Sequence, residues 1–446
     1  MRSALLVLAL GLFPLPLLAQ EQPAPPAPLT LDAAVKIALE KNPDLLRQRL
    51  QSLSSEQDRI LAQSAILPRV DFNAGYGRTR TETEGGTRVI QGVGEIPVPS
   101  AINASNQWGA GLRVQQLVFD GGKWWNNLEA AQLGLSAARA SVDEQRLQIT
   151  YLVEQRFYEL VRAQRQLKVL ADAAARSRDQ ADFVQRLFEG GRSTQADIYQ
   201  ARANRDNDEI QRLGQERNVE LARADLALAV GVDPGEPVSV AEPPGMMTEP
   251  APPPRAQEAV QRALAARPSL KAFELLAQAN RKTVSAARGD YWPQVSLGAS
   301  YGRNTDQFGQ YDDPNPLHSS QIAGSINLNW NLFAGFATDA NVRKAEVQVA
   351  LSENDLASGR RNVASDVEKA VAQLGTARAQ ARVAGQTLVT AEEGLRLART
   401  RQQVGVGTQL EVRDAELKLT QAQLSQVGAL VDGREAEAAL RRAQGS

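Results

Sequence analysis

Chemistry in a protein chain needs nucleophiles, bases or metal ligands, and this sequence is poor in all three. Its 446 residues include no cysteine and one histidine, His318. That inventory builds no thiolate nucleophile, no disulfide framework and no Cys/His metal set. His318 stands between Leu317 and Ser319 in a loop-like stretch and reads as a solvated imidazole rather than a base. The 50 Lys and Arg are balanced by 51 Asp and Glu, so no basic excess is offered to a nucleic acid. No cofactor and no metal is expected. What remains are acids near turns. Gly191 and Gly405 end long helical patterns, and Thr194 and Thr408 follow three residues later, placed to cap the next helix. Asp197 and Glu411 come three further on. A single acid there ordinarily complements the helix dipole, worth a few tenths of a kcal/mol. Asp414, however, shares a helix face with Glu411, which brings like charges together at a cost in stability. The dipole reading is therefore weaker for Glu411 than for Asp197. Other charged stretches, such as Arg176 to Asp182, read as solvated helix faces.

The elements that carry these turns occur twice. Val35, Leu39, Pro43 and Leu45 recur 225 positions later as Val260, Leu264, Pro268 and Leu270, and Pro68, Tyr76 and Arg78 as Pro293, Tyr301 and Arg303. From Phe119 and Gly121 onward the offset is 214, onto Phe333 and Gly335, and it carries Gly191, Thr194 and Asp197 to Gly405, Thr408 and Glu411. The first copy therefore has a loop longer by 11 residues between Arg78 and Phe119. The sequence divides into a secretory signal over 1–19, a first repeat over 20–230, a Pro-rich linker over 231–254 without a core of its own, and a second repeat over 255–446. The signal follows from Arg2, the apolar run Ala4 to Leu18 and the small Ala19.

Within each copy the order is helix, strand, loop, strand, very long helix, turn, long helix. Leu128, Leu135, Val142 and Ile149 keep a spacing of seven, as do Val342, Val349, Leu356 and Val363, and Leu410, Leu417, Leu424 and Val431. Sustained heptads predict coiled-coil packing. Asn126 to Leu187 has no proline and would extend about 90 Å at the helical rise. Between the helices the period changes to two. Strands are expected at about 69–81, 105–119, 293–305 and 319–333, each with one apolar and one polar or small face. Their length is that of a tilted membrane strand. Leu112 and Leu297 should face lipid, and Gly111 and Ser296 water. The joining segments, Thr81 to Ala104 and Asp306 to Ser319, should be loops on the outside. Four strands leave two open edges, which a bilayer does not tolerate, so the chain must oligomerise. Trp124 and Trp125, just past a strand end, suit an interfacial anchor.

At these motifs the sequence resembles the TolC-like outer-membrane efflux family. The resemblance rests on Leu29-Thr30-Leu31-Asp32-Ala33-Ala34-Val35 through Asn42-Pro43, on Leu117-Val118-Phe119-Asp120-Gly121-Gly122 and on Leu332-Phe333-Ala334-Gly335-Phe336. It implies a mainly α protein with a transmembrane β part. Three chains would form a 12-stranded outer-membrane barrel, four strands each, continued by an α-helical barrel of coiled-coil helices through the periplasm. The implied function is an export channel-tunnel for small molecules or proteins in tripartite efflux or type I secretion. Its partners would be two further copies of itself, outer-membrane lipid, a periplasmic adaptor and an inner-membrane transporter. The linker would sit at the equator. Glu411 and Asp414 would form acidic rings at the periplasmic entrance, closed by links that Asp197 and Gln402 supply; Gln402 and Gly407 stand where the family has tyrosine and arginine.

Two other readings compete. A secreted coiled-coil scaffold or adhesin without a pore shares the heptads but has no use for four membrane-length strands. A periplasmic enzyme lacks a nucleophile–base or metal set.

Overall fold

The computed structural model describes residues 28–92, 94–233, 235, 239–305 and 320–446. The expected signal over 1–19, the expected outer loop of the second repeat and His318 lie outside the described residues.

Each repeat opens with a short helix pair. In the first these are α1 (Leu31–Lys41) and α2 (Pro43–Ser64). Asn42 separates them, its side-chain oxygen accepting from the amides of Asp44 and Leu45 while Pro43 takes the first helical position, where a missing N–H costs nothing. Next come the strands β1 (Arg69–Thr83), β2 (Gly86–Ile90), β3 (Gly94–Val98) and β4 (Ala101–Phe119), then the helices α3 (Lys123–Glu189) and α4 (Gln195–Val230). The second repeat supplies α5 (Ala256–Ala266), α6 (Pro268–Arg288), β5 (Gln294–Thr305), β6 (Ser320–Asn329), α7 (Ala337–Gln403) and α8 (Gln409–Gln444). The repeats match in detail: α3 and α7 have 67 residues each, and α4 and α8 have 36 each. None of the described helices is long and apolar enough to cross a membrane.

Packing divides the chain into two compact units, each drawing on both repeats. One holds α1, the residues from Leu152 to Glu249 and those from Ala381 to Arg434; the other holds Asn42–Tyr151, Pro250–Gln380 and Glu435–Ser446.

The second unit contains a four-stranded antiparallel sheet in the order β1-β4-β5-β6. Its register puts the alternating apolar residues of all four strands on one face, up to the end of β4, where Gln116 joins that face opposite Leu297 and Leu117 falls on the other opposite Ser296. Phe72 is opposite Leu112, Leu112 opposite Tyr301, and Tyr301 opposite Ile322. The other face carries Asn73, Gly111, Gly302 and Gln321 in the same succession. The apolar face is bare within one chain, with Ile322 83% and Ile326 76% exposed. β1 and β6 are the edges. Below the sheet, Ala259, Ala263 and Leu270 pack with Val363, Val367 and Leu374 of α7 and Leu440 of α8.

Two expectations change here. The segment after Thr81 is not a plain loop: β1 runs to Thr83, β4 starts at Ala101, and β2 pairs with β3 as a further two-stranded ribbon. Alternating Thr79, Thr81 and Thr83, then Val89, Ile90 and Ile96, favour extended chain. Gly92 and Gly94 take the left-handed conformations (φ 95° and 98°) its tip needs. β6, in turn, ends at Asn329, short of the expected 333: its last partner is Gln294, and the next residue along is Pro293, which has no N–H for the ladder.

In the first unit, α3 and α4 pack through Ala181, Val184, Ile198 and Ala201, and α7 and α8 through Leu395, Ala398, Val412 and Leu419. Of the heptad Leu410, Leu417, Leu424 and Val431, the first two are exposed within one chain and Val431 is fully buried. Near the turn the buried stripe of α8 is Val412 with Leu419. The Pro-rich segment is also held: Leu29 and Val240 form a parallel bridge, Arg165 pairs with Glu242, and Met246 is buried.

Candidate functional site at the helix turns

The two turns that end α3 and α7 belong to the first unit. Gly191 (φ 71°) closes α3, with the Gly191 amide donating to the Phe188 carbonyl and the Arg192 amide to that of Leu187. Thr194 then caps α4. Its hydroxyl accepts from the Asp197 amide at 3.2 Å, while the Asp197 carboxylate accepts from the Thr194 amide at 2.8 Å. The hydroxyls of Thr194 and Ser193 donate to the same carboxylate oxygen. These donors, the Thr194 amide first, hold the Asp197 carboxyl below the ordinary aspartate range. Asp197 is thus committed to its own turn, and no hydrogen bond joins it to Gln402 within the chain. The Gln402 side-chain nitrogen is buried without a partner.

The second turn is tighter. Gly405 (φ 80°) is followed by Gly407, whose amide and that of Val406 both donate to the Arg401 carbonyl. A Cβ at Gly407 would lie 2.8 Å from the Gln402 nitrogen and 2.9 Å from the Arg401 carbonyl carbon. Only glycine fits there. Thr408 accepts from the Glu411 amide at 3.2 Å. The Glu411 carboxylate reaches Arg401 at 3.4 Å instead of closing a capping box. Asp414 is exposed and paired with Lys418, four residues on, at 2.6 Å. The acids at this tip each have a cation beside them, which sequence reasoning did not anticipate.

Sequence reasoning also missed a charged core just behind the turns. Arg413, between the two acids, points inward and makes two bonds of 2.7 and 2.9 Å to the buried Asp208 of α4. Those bonds raise the Arg413 guanidinium further above its ordinary value. Arg399 pairs with the buried Glu416 at 2.9 Å. Arg176, expected on a solvated face, is half-buried and donates to the Thr420 hydroxyl at 3.0 Å; burial lowers its pKa. A signal existed for Asp208. It falls between Ala201 and Gln215 at intervals of seven, all three buried, so a charge occupies a core heptad position. Such a charge must be paired. Beside this network lies a cavity of about 870 Å³ bounded by Asp197, Gln200 and Asn204 of α4 and by Gln409, Leu410 and Arg413 of α8. The tip is therefore a polar, water-accessible helix bundle with exposed acids and a buried ionic lock. Among the described residues no three His, Cys, Asp or Glu side chains converge to hold a metal.

Comparison with known proteins agrees with this architecture. The family described as outer membrane efflux protein matches residues 34–232 and 259–446, one match per repeat. The alkaline protease secretion protein AprF of Pseudomonas aeruginosa is 27% identical over 397 residues, covering 86% of this chain and 78% of that one. The outer membrane protein TolC of Vibrio cholerae is 23% identical over 392 residues, covering 86% and 83%. Among solved structures, the open-state MtrE outer membrane channel of Neisseria gonorrhoeae superposes with a TM-score of 0.77 at 20% identity, covering 93% of this chain and 89% of that one. VceC of Vibrio cholerae gives 0.75 at 20% identity, covering 93% and 96%.

Proposed function

Because the chain belongs to the outer membrane efflux protein family, we propose that three copies assemble into one passive export duct. The protein is an outer-membrane efflux channel that extends into the periplasm. The family relationship favours this over a secreted scaffold. The observation that carries self-assembly is the open sheet with one bare apolar face. Four strands do not close and lipid does not accept unpaired edges; two copies would supply 8 strands and three would supply 12, and the family resemblance favours three. The bare face then meets outer-membrane lipid, and the polar and small face lines water.

The helices would form the periplasmic tunnel, with the Pro-rich segment at its equator. Glu411, Asp414, Asp197 and Gln402 would lie at its entrance, on turns ended by Gly191 and Gly405 and capped by Thr194 and Thr408. A periplasmic adaptor would grip the tunnel, and an inner-membrane transporter would supply energy and choose the cargo, small molecule or protein. The chain performs no chemical step in this scheme. Membrane fractionation, mass photometry in detergent and planar-bilayer recording test it. The expected result is a trimer in the outer-membrane fraction with discrete conductance; a folded, water-soluble monomer that forms no pore would overturn it.

A further inference from the structure

The joint between neighbouring copies can be read, residue by residue, from the joint between the two repeats. The repeat offsets hold in three dimensions. β1 and β4 pair with Phe72 opposite Leu112 and Tyr76 opposite Trp108; the offsets of 225 and 214 carry these to Leu297 opposite Ile326 and Tyr301 opposite Ile322, which are the observed β5–β6 pairs. A side-chain bond obeys the same mapping. Gln116 donates to the Ile66 carbonyl, and its equivalent Trp330 donates to the Tyr291 carbonyl, the equivalent of Ile66. The chain also contains one joint between a second strand and the first strand of another repeat, β4 on β5, with Leu112 opposite Tyr301 and Gly111 opposite Gly302. Only β6 and β1 lack that joint, and they are the two free edges.

We infer that β6 of one copy pairs antiparallel with β1 of the next in the register of the β4–β5 joint, with Ile326 opposite Tyr76, Ser325 opposite Gly77 and Gly324 opposite Arg78. This rests on the assembly proposed above and specifies its seam. Three consequences of the register support it. The apolar face continues unbroken across the seam, since Leu328 and Ile326 meet Ala74 and Tyr76. The polar face continues as well, since Asn329 and Asn327, equivalents of Gln115 and Arg113, meet Asn73 and Gly75. A slip of one residue would turn every apolar side chain of the neighbour to the water face.

The absence of native cysteine makes the seam testable by disulfide trapping. Gly77→Cys with Ser325→Cys, and Arg78→Cys with Gly324→Cys, place thiols opposite each other on the two faces, and one of the two is the closer, non-hydrogen-bonded kind of pair. Gly75→Cys with Ser325→Cys, and Tyr76→Cys with Gly324→Cys, are displaced by two residues, about 7–8 Å between α-carbons and beyond disulfide reach. Mild oxidation of each variant in native membranes should give a covalent trimer on a denaturing gel for at least one in-register pair, roughly tenfold more than for its displaced control. Displaced pairs linking as well as in-register ones, or no linking in a protein that mass photometry counts as a trimer, overturn the register. In-register linking that stops at a covalent dimer leaves the register standing and overturns the trimer.

Discussion

At the turn from β4 into α3 two adjacent glycines do different work. Gly121 (φ 69°) and Gly122 (φ 82°) are both left-handed. A Cβ on Gly121 would lie 2.5 Å from the Gly289 carbonyl oxygen and 2.8 Å from the Trp292 Cβ; on Gly122 it would meet only the Asn126 amide at 3.7 Å. The second repeat has already made the milder substitution. Phe336, the equivalent of Gly122, sits at φ 66° and is 73% exposed. Gly122→Ala should therefore cost about 1–2 kcal/mol, the left-handed penalty alone. Gly121→Ala adds overpacking of about 1–3 kcal/mol, and the two unfolding midpoints should differ accordingly. A second residue-scale expectation concerns Arg267, buried between α5 and α6. It holds Glu144 at 2.8 and 3.1 Å and donates to the carbonyls of Arg442 and Ala443. Burial alone would raise the Glu144 carboxyl, but the Arg267 and Ser269 bonds outweigh it and hold the carboxyl below the ordinary glutamate range. The stabilisation is then complete above the unfolded value, about 4.3, and disappears as pH falls through the lower folded value. Glu144→Gln strands a buried guanidinium and should cost about 3–5 kcal/mol at neutral pH. Its deficit against wild type should shrink in acid, which unfolding midpoints at pH 7 and pH 3 would show.

Elements were legible where one period governs them. Alternation in Val70, Phe72, Ala74 and Tyr76 gave the apolar face of β1, and the register keeps it. Uninterrupted heptads gave α3 and α7. The β2–β3 ribbon was hidden because its Gly, Pro and Thr residues read as loop, although Gly92 and Gly94 are what turn it. The heptad from Leu410 to Val431 is buried only at its far end within one chain, where Val431 is fully enclosed, while Leu410 and Leu417 stay exposed. The faces of the sheet yield a direct test. Leu297→Lys should cost about 2–4 kcal/mol near the bilayer midplane, whereas Ser296→Lys on the opposite face should cost little; assembled protein recovered from membranes measures both. Gly111, at first the obvious companion to Ser296, is unsuitable because its Cβ would lie 3.1 Å from the Tyr301 carbonyl oxygen.

For the whole molecule, the question is what charge the proposed entrance presents to a passing solute. The acids at 197, 411 and 414 were visible in the sequence through their spacing from the capping threonines. Arg401 was not, because it meets Glu411 only after α7 and α8 fold together; Lys418, one turn along α8 from Asp414, was within reach of i,i+4 spacing and was overlooked. The buried Arg413–Asp208 lock exists only once α4 and α8, 205 residues apart at these positions, lie side by side. The entrance should therefore be less cation-selective than its carboxylates suggest. Replacing Arg401 and Lys418 together by glutamine should shift the reversal potential under a salt gradient toward stronger cation preference; Glu411→Ala with Asp414→Ala should shift it the other way. Both shifts should grow at low salt, where the Debye length lengthens, and an unchanged potential in both variants would place these acids away from the constriction.

The two hairpins keep one register although their tips differ in length by 11 residues. Ladder pairing is settled well before the chain reaches Gly86, so residues gained or lost beyond that point do not propagate back into the wall. The tip of the first hairpin is consequently a permissive place for lineages to vary. In the proposed assembly that tip would face the exterior, where new sequence can be selected while the sheet beneath is inherited intact.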